Sequence, residues 1–216
     1  MKSLTLVLIA GIFSTGLLVE PPNRQASLVR LERSLRQTAS LVKADNVRRQ
    51  ARRKVLHIIS RFNPNMDAGL KQRIADEIFE MSLKYANLDV DLLCATITHE
   101  SGRTWDPRVV SKAGALGLMQ IMPATGRWLA RYEGMDFSDP EAVLFDPICN
   151  IRLGARYLSA LIETYDLEGG LAAYNGGGRR AAMWLAHNKA DGILWQETRD
   201  YVPHVLKLYD EFKGTM

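Results

Sequence analysis

From about residue 66 onward, apolar side chains recur every three to four positions in stretch after stretch, with no alternating run of the kind a half-buried strand needs. That period commits the chain to helices, because only a 3.6-residue repeat brings positions i, i+4 and i+7 onto one face. Asp67 is placed to cap a helix whose stripe is Leu70, Ile74, Ile78, Met81 and Tyr85. Asp89 is placed to cap a second, which runs to about Glu100. A third starts near Pro147 and turns Ile148, Ile151, Ala155, Leu158, Ile162 and Tyr165 to one side. The last spans about Thr198 to Phe212, with Val202, Val205, Tyr209 and Phe212 inward. Stretches rich in glycine or proline at 114–117, 137–140, 169–170 and 176–178 read as the loops between helices. The expected fold class is mainly α, a compact bundle.

Hydrophobic residues are 47% of the 216 and charged residues 24%, a balance that can bury a real core. The formal net charge of +4 is unevenly spread. Between Arg24 and Arg61 eleven Lys/Arg stand against two acids, Glu32 and Asp45, whereas from Phe62 onward sixteen stand against twenty-one. Residues 24–65 therefore read as a basic linker, one or two helices with Leu28, Leu31, Leu35, Leu41, Val47, Val55, Ile58 and Ile59 at loosely helical spacing. Such a segment suits either a solvated spacer or contact with an anionic membrane surface. Nucleic acid is not an expected partner, because no aromatic residue interrupts these basic residues before Phe62. Phe62-Asn63-Pro64-Asn65 marks the boundary, and the working domain is expected over 66–216.

Ahead of the basic stretch, Lys2 precedes an apolar run from Leu4 to Val19 that ends at Glu20-Pro21-Pro22. A positive start followed by an apolar core is the form of a signal peptide or signal anchor, here over 1–23. It predicts export to the periplasm or cell envelope, with residues 3–19 as the candidate anchor. Arg24, Arg30, Arg33 and Arg36 work against translocation, since basic residues favour the cytoplasmic side. Cys94 and Cys149 lack C-x-x-C spacing, which leaves one disulfide or two buried thiols as the readings. The histidines, His57, His99, His187 and His204, show no ligand spacing, so neither a metal nor another cofactor is expected.

The chemistry centres on Glu100. With Leu93 and Ile97 it occupies i, i+4 and i+7, so a carboxylate shares a face with core residues. Loss of solvent and the negative end of the helix dipole both favour its protonated form. A carboxyl kept protonated near neutral pH is what acid-catalysed glycosidic cleavage requires. Alone, a glutamate at a helix end is more simply a solvated residue, and what changes that reading is its company.

Glu100-Ser101-Gly102, Trp105-Asp106-Pro107, Ser111 and Gly114-Ala115-Leu116-Gly117-Leu118-Met119-Gln120-Ile121-Met122-Pro123 follow one another. Then come Asp146-Pro147-x-x-Asn150-x-x-x-Gly154-x-x-Tyr157-Leu158, Ala173-Tyr174-Asn175-Gly176-Gly177 and Glu197-Thr198-x-x-Tyr201-Val202. In this order, from Leu92 to Leu208, the motifs resemble the soluble-type lytic transglycosylases of peptidoglycan. The resemblance implies a lysozyme-like helical fold with a groove for glycan strands, and cleavage of the MurNAc–GlcNAc β-1,4 bond with formation of a 1,6-anhydroMurNAc end. It implies that one carboxylate, Glu100, acts first as acid and then as base. It implies substrate contacts from Ser111 and Gln120, an apolar wall from Met122, and tyrosines 174 and 201 near the carboxyl. Asn175 is then a hydrogen-bonding partner in the groove, and Ser101 a support for the end of the catalytic helix.

Tyr157 reads as packing, and His99, about 100° round the helix from Glu100, as surface. Trp105, Trp128, Trp184 and Trp195 are open to core or sugar-stacking roles. The stretch from Glu100 to Ser111 is about two residues longer than the family's spacing, through Gly102-Arg103-Thr104. Gly176-Gly177-Gly178-Arg179-Arg180 stands where many relatives have a proline. Two alternatives stay open: a goose-lysozyme-type hydrolase, for which Asp136, Asp139 and Glu141 are further acids, and a non-catalytic glycan-binding module that keeps the groove.

Overall fold

The computed structural model describes residues 24–214. The signal or anchor expected over 1–23 lies outside the described residues. Among the described residues there are eight helices: α1 (Arg24–Phe62), α2 (Ala68–Lys84), α3 (Val90–Glu100), α4 (Pro123–Glu133), α5 (Pro140–Phe145), α6 (Pro147–Gly176), α7 (Gly178–Ala186) and α8 (Gln196–Lys213). No described helix is long and apolar enough to cross a membrane. Isolated bridges join Val110 to Leu116 and Leu116 to Ile121.

The chain divides into two units, 1–44 and 45–216. In the first, residues 26–44 are helical with every side chain exposed, the leucines at 28, 31, 35 and 41 included. In the second, the remainder of α1 enters the core through Val55, Ile58 and Ile59, each at most 1% exposed. Its basic face is neutralised by neighbouring acids: Arg52 meets Asp76 at 3.0 Å, Arg48 meets Glu80 at 3.2 Å and Lys54 meets Asp91 at 2.8 Å. The compact unit thus begins at residue 45 rather than at the expected 66. Those three apolar side chains, read as part of a linker, are the wall on which the bundle closes.

Asp67 and Asp89 cap as expected, accepting from the backbone N–H groups of Leu70 and Leu92 at 2.8 Å. Ile74 and Ile78 of α2, Leu93 and Ile97 of α3, Ile151 and Leu158 of α6, and Val205 and Phe212 of α8 share one core. Gly169 and Gly170 are not a loop. They lie within α6, which breaks sharply at Asp166 (φ 65°) and restarts with Asp166 accepting from Gly169 N–H at 2.8 Å. A Cβ on Gly170 would fall 2.7 Å from the Cα of Ile162, so glycine here permits two helical segments to press together. The short helices α4, α5 and α7 lie in stretches without a long stripe; prolines 123 and 140 open α4 and α5. Cys94 and Cys149 are both unpaired.

Candidate active site

The buried helix α3 packs against α8 and ends at Glu100, which is partly exposed while Leu93 and Ile97 below it are fully buried. From α8, the buried Tyr201 donates its hydroxyl to Glu100 Oε1 at 2.7 Å. Three influences set the carboxyl's affinity for its proton. Burial is the largest and raises the pKa; the Tyr201 hydrogen bond lowers it by favouring the anion; the negative charge of Glu197, in the first turn of α8, raises it. The outcome is a carboxyl pushed from 4.5 to about 7. Burial, opposed by the Tyr201 hydrogen bond, therefore governs its titration, with Glu197 a smaller addition.

The turn after Glu100 is pinned from within. Trp105 is fully buried; its indole N–H donates to Thr98 Oγ1 at 2.9 Å, and its backbone N–H donates to Ser101 Oγ at 3.1 Å. Ser101 thus supports the helix end as expected, and Trp105 belongs to the core rather than to a sugar platform. Trp128 and Trp195 are exposed at 49% and 60%, and Trp184 is partly buried.

The loop carrying Ser111, Gln120 and Met122 is tied to α6 by one buried side chain. Asn150 accepts from Met119 N–H at 2.7 Å and donates to the carbonyls of Leu116 and Leu144, each at 2.9 Å. Gly117 lies against it: at φ +79°, a Cβ would sit 2.2 Å from Leu144 O and 2.3 Å from Asn150 Nδ2. Gln120 is left-handed (φ 48°), and its amide nitrogen donates to Gly117 O at 2.8 Å and Val109 O at 3.2 Å. Ser111 Oγ accepts from Ala115 N–H at 2.9 Å. Met122 is exposed at the head of α4.

Tyr174 is near Glu100, whose charge helps to raise the tyrosine's pKa after the larger effect of burial. Its hydroxyl nevertheless donates to Met119 O at 2.8 Å, so it steadies the loop while Tyr201 holds the carboxyl. Tyr157 packs on Tyr174, ring centroids 5.3 Å apart, in keeping with a packing role. Asn175 Oδ1 accepts from Thr198 Oγ1 at 2.7 Å and joins the end of α6 to α8.

Sequence reasoning gave no role to Asn150 or Glu197, although both stand in the quoted motifs; a polar residue amid the apolar stripe of a helix was the available signal for Asn150. His99 departs from its expected surface place. It is partly buried, with its ring edge-on to Tyr201 at 4.7 Å and stacked with His204 at 6.1 Å. Of the loop acids considered for a hydrolase, Asp136 accepts from Ser138 and Asp139 caps α5.

Residues 77–194, more than half of the chain, match the family model described as the transglycosylase SLT domain. The chain belongs to that family. Among its relatives is the soluble lytic murein transglycosylase of Escherichia coli K12, 34% identical over 118 residues, which cover 50% of this chain and 18% of that protein. Another is the membrane-bound lytic murein transglycosylase C of Photorhabdus laumondii, 35% identical over 54% of this chain and 31% of its own length. The chain thus spans less than a third of these relatives. Of solved structures, the 70 kDa soluble lytic transglycosylase of Escherichia coli aligns over 67% of this chain and 26% of its own, with 29% identity and a TM-score of 0.55. The 70 kDa soluble lytic transglycosylase in complex with bulgecin A aligns with 31% identity over 67% of this chain and 26% of its own, at a TM-score of 0.57. The fold of this family member is therefore the mainly helical, lysozyme-like one of the soluble lytic transglycosylases.

Proposed function

We propose that this SLT domain is a lytic transglycosylase that cleaves the β-1,4 bond between N-acetylmuramic acid and N-acetylglucosamine in peptidoglycan. The observation that carries the reading is the Glu100 carboxyl, its pKa raised to about 7, with the Tyr201 hydroxyl 2.7 Å from Oε1. A carboxyl at its ordinary value would be well under ~1% protonated at pH 7, whereas Glu100 is populated in both forms there. One residue can then be acid and base in turn.

In the first step Glu100 gives its proton to the glycosidic oxygen as the bond from C1 of the muramic acid breaks. An oxocarbenium-like or acetamido-assisted species follows. In the second, the ionised Glu100, held by the Tyr201 hydroxyl, takes the proton of the sugar's own O6 hydroxyl as O6 bonds to C1. Proton and carboxyl are restored, and the product is a 1,6-anhydro end. A nucleophile already tethered to the reacting carbon enjoys an effective molarity of ~10⁵ M or more, so no second carboxylate is needed to activate water.

The remaining site residues are assigned as substrate contacts. Ser111 accepts from Ala115 N–H and keeps its own hydrogen to donate to the acetamido carbonyl. Gln120 has committed its amide nitrogen to the loop and offers its oxygen. Met122 supplies apolar wall, while Asn175 and Tyr174 line the same region. Because peptidoglycan lies outside the cytoplasmic membrane, the chain is assigned to the cell envelope, with its apolar residues 4–19 as the export element.

Mass spectrometry of digested sacculi tests the reaction. Muropeptides ending in anhydro sugar, lighter by one water than the hydrolytic products, are expected; reducing ends alone would replace this reading with the hydrolase.

A further inference from the structure

No role assigned above uses the helix at residues 26–44. Its side chains are all exposed, and Leu28, Val29, Leu31, Leu35, Leu41 and Val42 are each more than half exposed. A helix of this length draws most of its stability from an apolar face packed on something. The compact unit of 45–216 is built without it, and the family match at 77–194 does not reach it.

Two features of the helix say what could cover that face. Leu28, Leu31, Leu35 and Val42 stand at i, i+3, i+7 and i+14, so they form one stripe along its length. Four basic residues, Arg30, Arg33, Arg36 and Lys43, stand against one acid, Glu32, and at 3.6 residues per turn all four fall outside the stripe. Arg30 lies to one flank, Arg36 and Lys43 to the other, and Arg33 on the back, with Val29 and Leu41 interrupting the basic face. The rest of α1 differs in its charge balance. There Arg48, Arg52 and Lys54 are met by Glu80, Asp76 and Asp91.

An apolar stripe flanked by long cationic side chains suits the interface between lipid and water. Leucines enter the edge of the hydrocarbon while guanidinium and ammonium groups reach anionic headgroups. Other occupants fit half of the pattern. A second copy laid along the stripe would cover the leucines but bring like charges together. An anionic polymer, such as a glycan with free carboxylates, would meet the arginines but offer the leucines no hydrocarbon. The chain also brings the helix to a bilayer, because the apolar residues 4–19, assigned to export, end shortly before Ala26.

We propose that residues 26–44 bind the surface of a membrane containing anionic lipid, with Leu28, Leu31, Leu35 and Val42 turned into the bilayer and Arg30, Arg36 and Lys43 on its headgroups. This surface is independent of the reaction at Glu100. It keeps the catalytic unit close to the membrane whatever bond that unit cleaves.

Hydrogen exchange tests it on the full-length chain bound to vesicles of phosphatidylcholine, alone or mixed with phosphatidylglycerol. Amides of residues 26–44 are expected to exchange at least about tenfold more slowly on the mixed vesicles, and those of the core equally on both. High salt, or Arg30→Gln with Arg36→Gln, should abolish the difference. Leu31→Gln with Leu35→Gln should remove the protection on either vesicle, whereas Glu100→Gln should leave it intact. Unchanged core amides show that each variant is folded. Equal exchange on the two vesicle types overturns the proposal. Protection that rises with protein concentration in the absence of lipid overturns it in favour of a second copy, and protection by soluble anionic glycan alone overturns it in favour of the polymer.

Discussion

Burial raises the pKa of Glu100 and the Tyr201 hydroxyl lowers it, so the value near 7 is a balance that one atom can shift. Tyr201→Phe removes the lowering influence and nothing else of comparable size. The variant's Glu100 should titrate higher, and the limb on which kcat/KM falls with rising pH should move upward with it. The maximal rate should drop by about tenfold, because the carboxylate that must form in the first step loses a hydrogen bond to a charged group. A pH–rate profile checks both; a limb that stays in place or moves downward contradicts the electrostatic account. At this scale the sequence was partly legible. Glu100 announced itself as an acid on a core-facing stripe. Its partner stands 101 residues away on another helix, where the inward stripe of Val202, Val205, Tyr209 and Phe212 leaves Tyr201 out, and only the quoted motif pointed to it.

Each element that carries the site is anchored by something buried, and the anchors are more fragile than the site residues they serve. Trp105 is fully enclosed, so Trp105→Ala should cost about 3–5 kcal/mol in chemical denaturation. Trp105→Phe keeps most of the packing but leaves Thr98 without its donor, at about 1–3 kcal/mol. Gly117→Ala should be worse for activity than for folding. Its φ of +79° and the Leu144 carbonyl 2.2 Å from the added carbon force the 114–122 loop away from Asn150. Cooperative unfolding at a lowered Tm with activity largely lost is the expected pattern; an active Gly117→Ala protein would mean the loop's placement is unimportant. Helices were legible wherever a long stripe and a capping aspartate agreed, as at Asp67 and Asp89. They were missed where they were short, as in α4, α5 and α7. Gly169-Gly170 misled because glycine signals both a turn and a close helix approach, and only the proximity of Ile162 tells them apart.

For the molecule as a whole, the contribution of residues 45–62 is the clearest departure from the sequence reading. Basic composition hid three core residues, Val55, Ile58 and Ile59, whose burial contributes about 1.5–3 kcal/mol each, comparable in sum with the entire stability of a domain. A chain beginning at Asp45 should therefore melt as one cooperative unit, and one beginning at Asn63 should not fold, as circular dichroism can check. The active carboxyl also acts against that stability. Because its folded pKa lies above the ordinary 4.5, the native state binds the proton more tightly than the unfolded chain. Its stabilising contribution is complete below about pH 4.5 and is lost as pH rises through about 7, by at most ~3 kcal/mol. Glu100→Gln should accordingly raise Tm at pH 8 and leave it unchanged at pH 4; equal effects at both would contradict the linkage.

The central claim is that one carboxyl gives and then retakes the proton, and clearance of a murein suspension by Glu100→Gln tests it most directly. A folded variant that clears 10²- to 10⁴-fold more slowly than the parent, the usual contribution of a general acid, is the predicted result. Clearance at the parent's rate would show that Glu100 is not the acid.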